Sequence, residues 1–284
     1  MMKPPTFSLI VATVNRTVEL GTLFNSLSTQ TYSDFEVIVV DQNNDGRLQP
    51  YLDQADALGL KLIHLKHRPA NLSAARNVGL KAASAELIGF PDDDCWYEPD
   101  LLERIASRFC ATDSPSGVSV RWLEEGDPSI EGGMLSWERS KAFRDIPVSS
   151  ITLFFRRMLF EQIGDFDVRF GAGQWFGAGE ETDFVLRALR AGAVIAYEPS
   201  AIVHHPASSP KYDSQSLLSI RHRARGTGAL WAKHGLPLWV RLRGLVAPVL
   251  RPLLRGSFGA EMAHGCSEMR GRLDGWLGWK RMQP

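Results

Sequence analysis

The stretch IGFPDDDCWYEPD, from Ile88 to Asp100, ends an apolar run on three consecutive carboxylates, Asp92, Asp93 and Asp94. Ionised side chains this close repel one another, so they are either well hydrated or hold a cation. In an extended chain alternate residues share a face, which puts Asp92 and Asp94 together and turns Asp93 away. Two carboxylates on one side of a strand end form a clamp for Mg²⁺ or Mn²⁺, hard cations that take oxygen ligands and leave positions for substrate phosphates. Taken alone, the segment reads equally as a hydrated acidic turn before a helix that starts near Glu98-Pro99-Asp100.

Working outward from this stretch, the first hundred residues alternate between two periods. Continuous apolar runs at Phe7–Val14, Phe35–Asp41, Leu60–Leu65 and Ala85–Phe90 predict strands. Between them, Thr17–Thr29, Leu48–Leu58 and Asn71–Ala83 have helical spacing, and Leu20, Leu23, Phe24 and Leu27 fall on one face. Apolar strands alternating with amphipathic helices predict a parallel sheet covered on both sides, a Rossmann-like nucleotide-binding α/β architecture. Ligands bind such sheets beyond the carboxyl ends of the strands, where Thr13–Arg16, Asp41 and Asp92–Asp94 lie. Neither a GxGxxG nor a GxxxxGK[ST] phosphate loop is present. After a predicted helix at Leu101–Phe109 the pattern loosens through TDSPSGVSVRWLEEGDPSIEGG, and a second region of shorter strands follows around VSSITLFFRRMLFEQIG.

The chain has 284 residues, 44% hydrophobic and 23% charged, a balance that excludes overall disorder. Net charge is zero but unevenly placed: from Arg221 onward there are twelve Lys and Arg against three Asp and Glu. A basic tail on an acidic body points to an anionic surface. Three cysteines without metal spacing predict a reducing, cytoplasmic compartment, and the short apolar run before Asn15 reads as a first strand rather than a signal peptide. In the tail, arginines 241, 243, 251 and 255 break up Trp239, Leu242, Leu245, Val246, Val249 and Leu253. Such a segment is too short between charges for the roughly 20 residues of a bilayer span. It suits either an interfacial contact with anionic lipid or packing onto the body, and Pro248 and Pro252 predict that no regular helix forms there.

A second acidic block, GAGEETDFVLRALRAG, places Glu180, Glu181 and Asp183 ahead of an amphipathic helix that Gly192 would stop. Acidic residues in a first turn are favoured by the helix dipole alone. Upstream, Trp175 and Phe176 lie among Gly171, Gly173, Gly177 and Gly179, as in a hinged lid that stacks on a sugar or a loop whose aromatics pack inward.

Together, and in this order, SLIVATVNR, SLSTQTYSDFEVIVVDQNNDGR, NLSAARNVGLKAASAELIGFPDDDCWYEPDLL and FGAGEETDFVLRALRAG resemble the family 2 glycosyltransferases over about residues 6 to 205. That resemblance implies a GT-A fold, with a mostly parallel sheet, helices on both faces and a smaller acceptor-binding half. It also implies inverting transfer of a sugar from a nucleotide diphosphate sugar, a UDP-sugar by preference, to a carbohydrate or lipid-linked carbohydrate acceptor. By the resemblance, Asp92 and Asp94 hold Mn²⁺ or Mg²⁺ and the donor diphosphate, with Asp93 near the ribose. Thr13, Asn15 and Arg16 line the base pocket, Asp41 accepts a hydrogen bond from the base or ribose, and Arg76 reaches the nucleotide or its phosphates. Glu181 stands at the family's base position, where the usual residue is Asp, with Glu180 as runner-up and Asp183 contacting the acceptor or supporting the helix start.

His204 and His205 point to opposite faces of a strand, and the resemblance selects His205 to complete the metal site. Arg223 and Arg225 could face the departing diphosphate or form a solvated basic helix face. The expected division is 1–110 for the nucleotide-sugar half, 111–235 for the acceptor-binding and catalytic half, and 236–284 for a basic C-terminal helical extension. The implied setting is bacterial surface glycan assembly at the inner face of the cell membrane, with no nucleic-acid partner. A sugar nucleotidyltransferase would share the core but usually carries a basic Gly-rich loop, which VATVNRTVELG lacks; a non-catalytic nucleotide-sugar-binding protein would not need both acidic blocks.

Overall fold

The computed structural model describes residues 3–123, 131–144, 148–206 and 213–282. Part of the loosened stretch after the first hundred residues, 124–130, therefore lies outside the described residues. Strands β1 (Phe7–Thr13), β2 (Phe35–Asp41), β3 (Leu62–Lys66) and β4 (Leu87–Gly89) pair in parallel in the order β3-β2-β1-β4. Their crossovers are α1 (Val18–Ser28), α2 (Gln49–Ala57) and α3 (Leu72–Ala82), and α1 buries the predicted Leu20, Leu23, Phe24 and Leu27. Buried on both faces, the strands divide their side chains by parity: Phe7, Leu9, Val11, Val37 and Val39 pack on the α1 side with α4 (Leu101–Cys110). Ile10, Ile38 and Val40 pack on the α3 side.

The chain runs outward from β1 to β3 and returns to the other side of β1 at β4, so the loops after β1 and β4 meet at a topological switch point. Beyond β4 the sheet continues through β8 (Leu153–Arg156), antiparallel to both β4 and β6 (Gly117–Trp122). Next comes β9 (Ile195–His204), parallel to β6 and antiparallel to β5 (Trp96–Tyr97) and β7 (Gly133–Met134). Below the switch point, Phe160 and Phe184 stack with centroids 4.4 Å apart, beside Phe90, Phe155 and Phe166. Phe184 belongs to α7 (Glu180–Arg190), so this aromatic cluster fixes the second acidic block against the sheet.

Three long helices complete the chain: α8 (Ser214–Lys233), α9 (Leu238–Leu254) and α10 (Ala260–Arg281), with the short α5 (Trp137–Ser140) and α6 (Arg157–Ile163) earlier. The expectation that prolines preclude a regular helix in the tail is corrected here, because α9 runs through both Pro248 and Pro252. Proline at 248 has no N–H for the carbonyl of Gly244. That orphaned acceptor takes a hydrogen bond from Arg272 Nη1 of α10 instead. The tail packs on the body, since α10 lies along α8 and contacts α9. Among the described residues no helix is long and apolar enough to cross a membrane.

Candidate active site

Asp92, Asp93 and Asp94 take three different sets of partners. Asp93 is buried, accepting from Thr13 Oγ1 at 2.6 Å and from Arg16 Nη1 at 2.7 Å. Asp92 faces the other way, 3.0 Å from Arg76 Nη2 and 3.3 Å from Ser150 Oγ. Asp94 pairs with Arg16 and lies 3.2 Å from His205 Nε2. One oxygen of Asp92, one of Asp94 and a ring nitrogen of His205 all lie within 4.8 Å of one another. Asp94 Oδ1 is buried and faces His205 Nε2 at 3.2 Å without good hydrogen-bond geometry, which leaves it able to ligate a cation. Two carboxylates and one imidazole are a donor set that fits Mn²⁺ or Mg²⁺. Contact with Asp94 raises the His205 pKa above its ordinary value, and burial opposes the rise. His204 turns away, stacked on Trp96 and 2.6 Å from Glu98.

The second acidic block comes to the same place. Gly179, at φ 103°, adopts the left-handed conformation that brings the chain sharply into α7. Glu180 opens that helix, is 5% exposed, and accepts from Arg76 Nη1 at 2.8 Å. Arg76, 2% exposed, thereby ties Glu180 to Asp92 across 88 residues of sequence. Nη1 and Nη2 of Arg76 thus face carboxylates, where the expectation was a reach toward the nucleotide or its phosphates. Glu181 lies beside Glu180 and is partly buried. Its pKa is pushed well above the ordinary glutamate value, first by desolvation and then by the charge on Glu180, with Arg76 opposing.

Asp183 departs from the catalytic reading. It is fully buried and accepts from Arg187 Nε at 2.9 Å and His234 Nε2 at 2.9 Å, with Lys233 Nζ at 2.7 Å. No part of it faces solvent for an acceptor to meet; it joins α7 to the end of α8. A close approach also links these elements: a Cβ at Gly226 of α8 would sit 1.8 Å from the carbonyl oxygen of Ala178, two residues before Glu180.

Beside the acidic cluster, beyond β1, β2 and β3, a cavity of about 630 Å³ is lined by Asn15, Gln42, Asn43, Arg47 and Arg68. Asn15 lines it at φ 63°, its N–H donating to Asn43 Oδ1 at 2.7 Å. Thr13 and Arg16 do not line this cavity: Thr13 is 1% exposed and both side chains serve Asp93. Asp41 was expected to accept from the base or ribose. It is 1% exposed and its oxygens are filled by Lys66 Nζ at 2.6 Å, His64 at 3.2 Å, and the N–H and side-chain amide of Asn43 at 2.8 Å. It shapes the loop that carries Asn43. Gln42, Asn43, Arg68 and Ser150 were not singled out by sequence reasoning, because isolated polar residues in loops have no distinguishing spacing.

The aromatic loop splits its two roles. Phe176 packs inward, 1% exposed, against Phe170 and Trp279, which rules it out as a mobile sugar platform. Trp175 is 46% exposed, with Arg225 4.7 Å above its ring. Arg225 is thus engaged at the α8–α10 interface, while Arg223 faces solvent.

With this geometry in place, comparison with known proteins is direct. The sequence profile described as Glycosyl transferase family 2 matches residues 8–163. EpsH of Bacillus subtilis is 37% identical over 109 residues, a match covering 37% of this chain and 30% of that protein. Among solved structures, the mannosyltransferase PcManGT of Pyrobaculum calidifontis, in complex with GDP-Man and Mn²⁺, superposes with TM-score 0.67 at 16% identity, covering 97% of this chain and 88% of that one. Residues 1–349 of S. aureus TarS, in complex with UDP-GlcNAc, superpose with TM-score 0.60 at 16% identity, covering 96% and 92%. At these identities the likeness is one of fold.

Proposed function

This chain belongs to glycosyl transferase family 2, and from that premise we propose that it moves a sugar, with inversion, from a nucleotide diphosphate sugar to a hydroxyl acceptor. The observation that carries the proposal is the junction Asp92–Arg76–Glu180, which joins both acidic blocks in one site. The donor base occupies the cavity lined by Asn15, Asn43 and Arg68, and its diphosphate reaches the cluster of Asp92, Asp94 and His205. When bound there, Mn²⁺ or Mg²⁺ supplies positive charge against the diphosphate as it leaves.

Glu181 is the base. The acceptor oxygen forms a bond to the anomeric carbon from the face opposite the diphosphate, the bond from that carbon to the diphosphate oxygen breaks, and the acceptor proton passes to the Glu181 carboxylate. A glutamate whose pKa is raised above its ordinary value is a stronger proton acceptor when ionised. Arg76 fixes Glu180, so the adjacent Glu181 is presented on a rigid first turn. The longer side chain at this position moves its carboxylate by about one bond length relative to an Asp, and compensating placement of α7 is needed for rate.

The three-part division of the chain follows the same logic, with 1–110 binding the donor, 111–235 supplying the base and the acceptor surface, and 236–284 forming a basic extension. Bacterial surface glycan or glycolipid assembly at the inner membrane face is the setting this reading favours. Its support is the exposed face of α9, where Leu238, Leu242, Val246, Leu250 and Leu253 recur at helical spacing among arginines.

A thermal-shift series tests the donor reading. UDP, GDP and their sugars, each with and without Mn²⁺, should include at least one that raises the melting temperature only with metal. At a ligand concentration of 100 Kd the expected stabilisation is about 2.7 kcal/mol. No stabilisation by any of them with Mn²⁺ would refute the proposed donor chemistry.

A further inference from the structure

A second cavity, of about 500 Å³, lies in the C-terminal helices, and none of its lining residues belongs to the acidic site. Its wall holds Arg144, Arg243, Arg251 and Arg272 against one carboxylate, Glu268. Arg272 pairs with that carboxylate and with the Gly244 carbonyl, and Arg243 donates to the Ala142 carbonyl. Among the described residues, Arg144 and Arg251 have no carboxylate partner. Four guanidinium groups on one wall repel each other unless an anion joins them. Consistently, Arg243 is drawn below the ordinary arginine pKa by burial and by Arg144 and Arg251, and Arg272 by burial and by Arg251 and Arg243, with Glu268 opposing. Trp231 also lines the cavity, 2% exposed, and its indole N–H has no hydrogen-bond partner.

We infer that this cavity is a second anion site, built for a phosphate or diphosphate group and separate from the donor cleft. Guanidinium groups match phosphate oxygens in bidentate geometry, and several around one group exceed what a single negative charge needs. Phe143, Val240 and Pro248 give the same cavity an apolar side. The phosphate can therefore come from a soluble molecule or from the headgroup of a lipid.

The test removes the donor cleft from the measurement. Full-length D92N/D94N protein in metal-free buffer is titrated with inorganic diphosphate, and separately with vesicles of phosphatidylcholine carrying one-third phosphatidylglycerol, pure phosphatidylcholine serving as the blank. Adding Arg243→Gln and Arg251→Gln should weaken whichever ligand binds by at least tenfold. Arginine dependence with diphosphate identifies a soluble source, and dependence with anionic vesicles alone identifies a headgroup. Arg251→Gln by itself, at a residue whose side chain makes no hydrogen bond among the described residues, guards against misfolding. Its melting temperature should be unchanged or higher, since one repelling charge is gone. Binding of neither ligand to the D92N/D94N protein, or binding indifferent to both arginines, overturns the inference.

Discussion

At the scale of single residues, the junction made by Arg76 sets the chemistry of its neighbours. Burial and the adjacent Glu180 raise the Glu181 pKa. A base must be ionised, so transfer should rise with pH through that raised value, placing the acid limb of kcat/KM above the ordinary glutamate range. Glu180→Gln removes the neighbouring charge and should shift the limb to lower pH; a limb that stays fixed would show that Glu180 does not tune the base. Asp183 has the opposite sign. Its pKa is held below the ordinary value because contacts with His234, Lys233 and Arg187 outweigh desolvation. Its stabilising contribution is therefore present above the unfolded-state pKa and is lost as pH falls through the folded one. Asp183→Asn should lower stability by about 3–5 kcal/mol, the usual result of leaving buried charges unpaired. Denaturant titration measures that loss, and donor affinity should not change. Sequence patterns located both acidic blocks, and strand alternation separated Asp93 from Asp92 and Asp94. They could not show which side chains hold Thr13, Asp41, Arg76 and Asp183, because those partners lie 25 to 104 residues away.

At the scale of elements, α7 is presented by what lies beneath and behind it. The aromatic cluster under the sheet fixes its apolar face, and α8 presses on the loop that precedes it at Gly226. Gly226→Ala would drive a methyl group into the Ala178 carbonyl, so α8 or that loop must shift. A displacement of about 1 Å near a reacting group can cost on the order of 100-fold in rate. Gly226→Ala should accordingly lower kcat by more than its loss of stability explains, read by comparing turnover with melting temperature; normal turnover would detach α8 from the site. The first four β-strands and first three helices were legible because their periods are short-range. The proline-containing α9 was not, since the donor that satisfies the orphaned Gly244 carbonyl belongs to Arg272, 28 residues on.

At the scale of the whole molecule, a parallel sheet with its switch point between β1 and β4 brings the loops after those strands together. The mixed extension through β8, β6 and β9 then delivers His205 from the second half of the chain, and α7 packs against the same sheet. A cavity on one half and a carboxylate from the other is the organisation that the proposed transfer between two substrates requires. The central claim is that Glu181 takes the acceptor proton in this shared site. Glu181→Gln tests it most directly, with transfer and donor affinity measured on the same preparation. In the Glu181→Gln protein kcat should fall by about 10²–10⁴-fold, the usual contribution of a positioned base, with donor Kd essentially unchanged. Transfer at the native rate by the Glu181→Gln protein would contradict it.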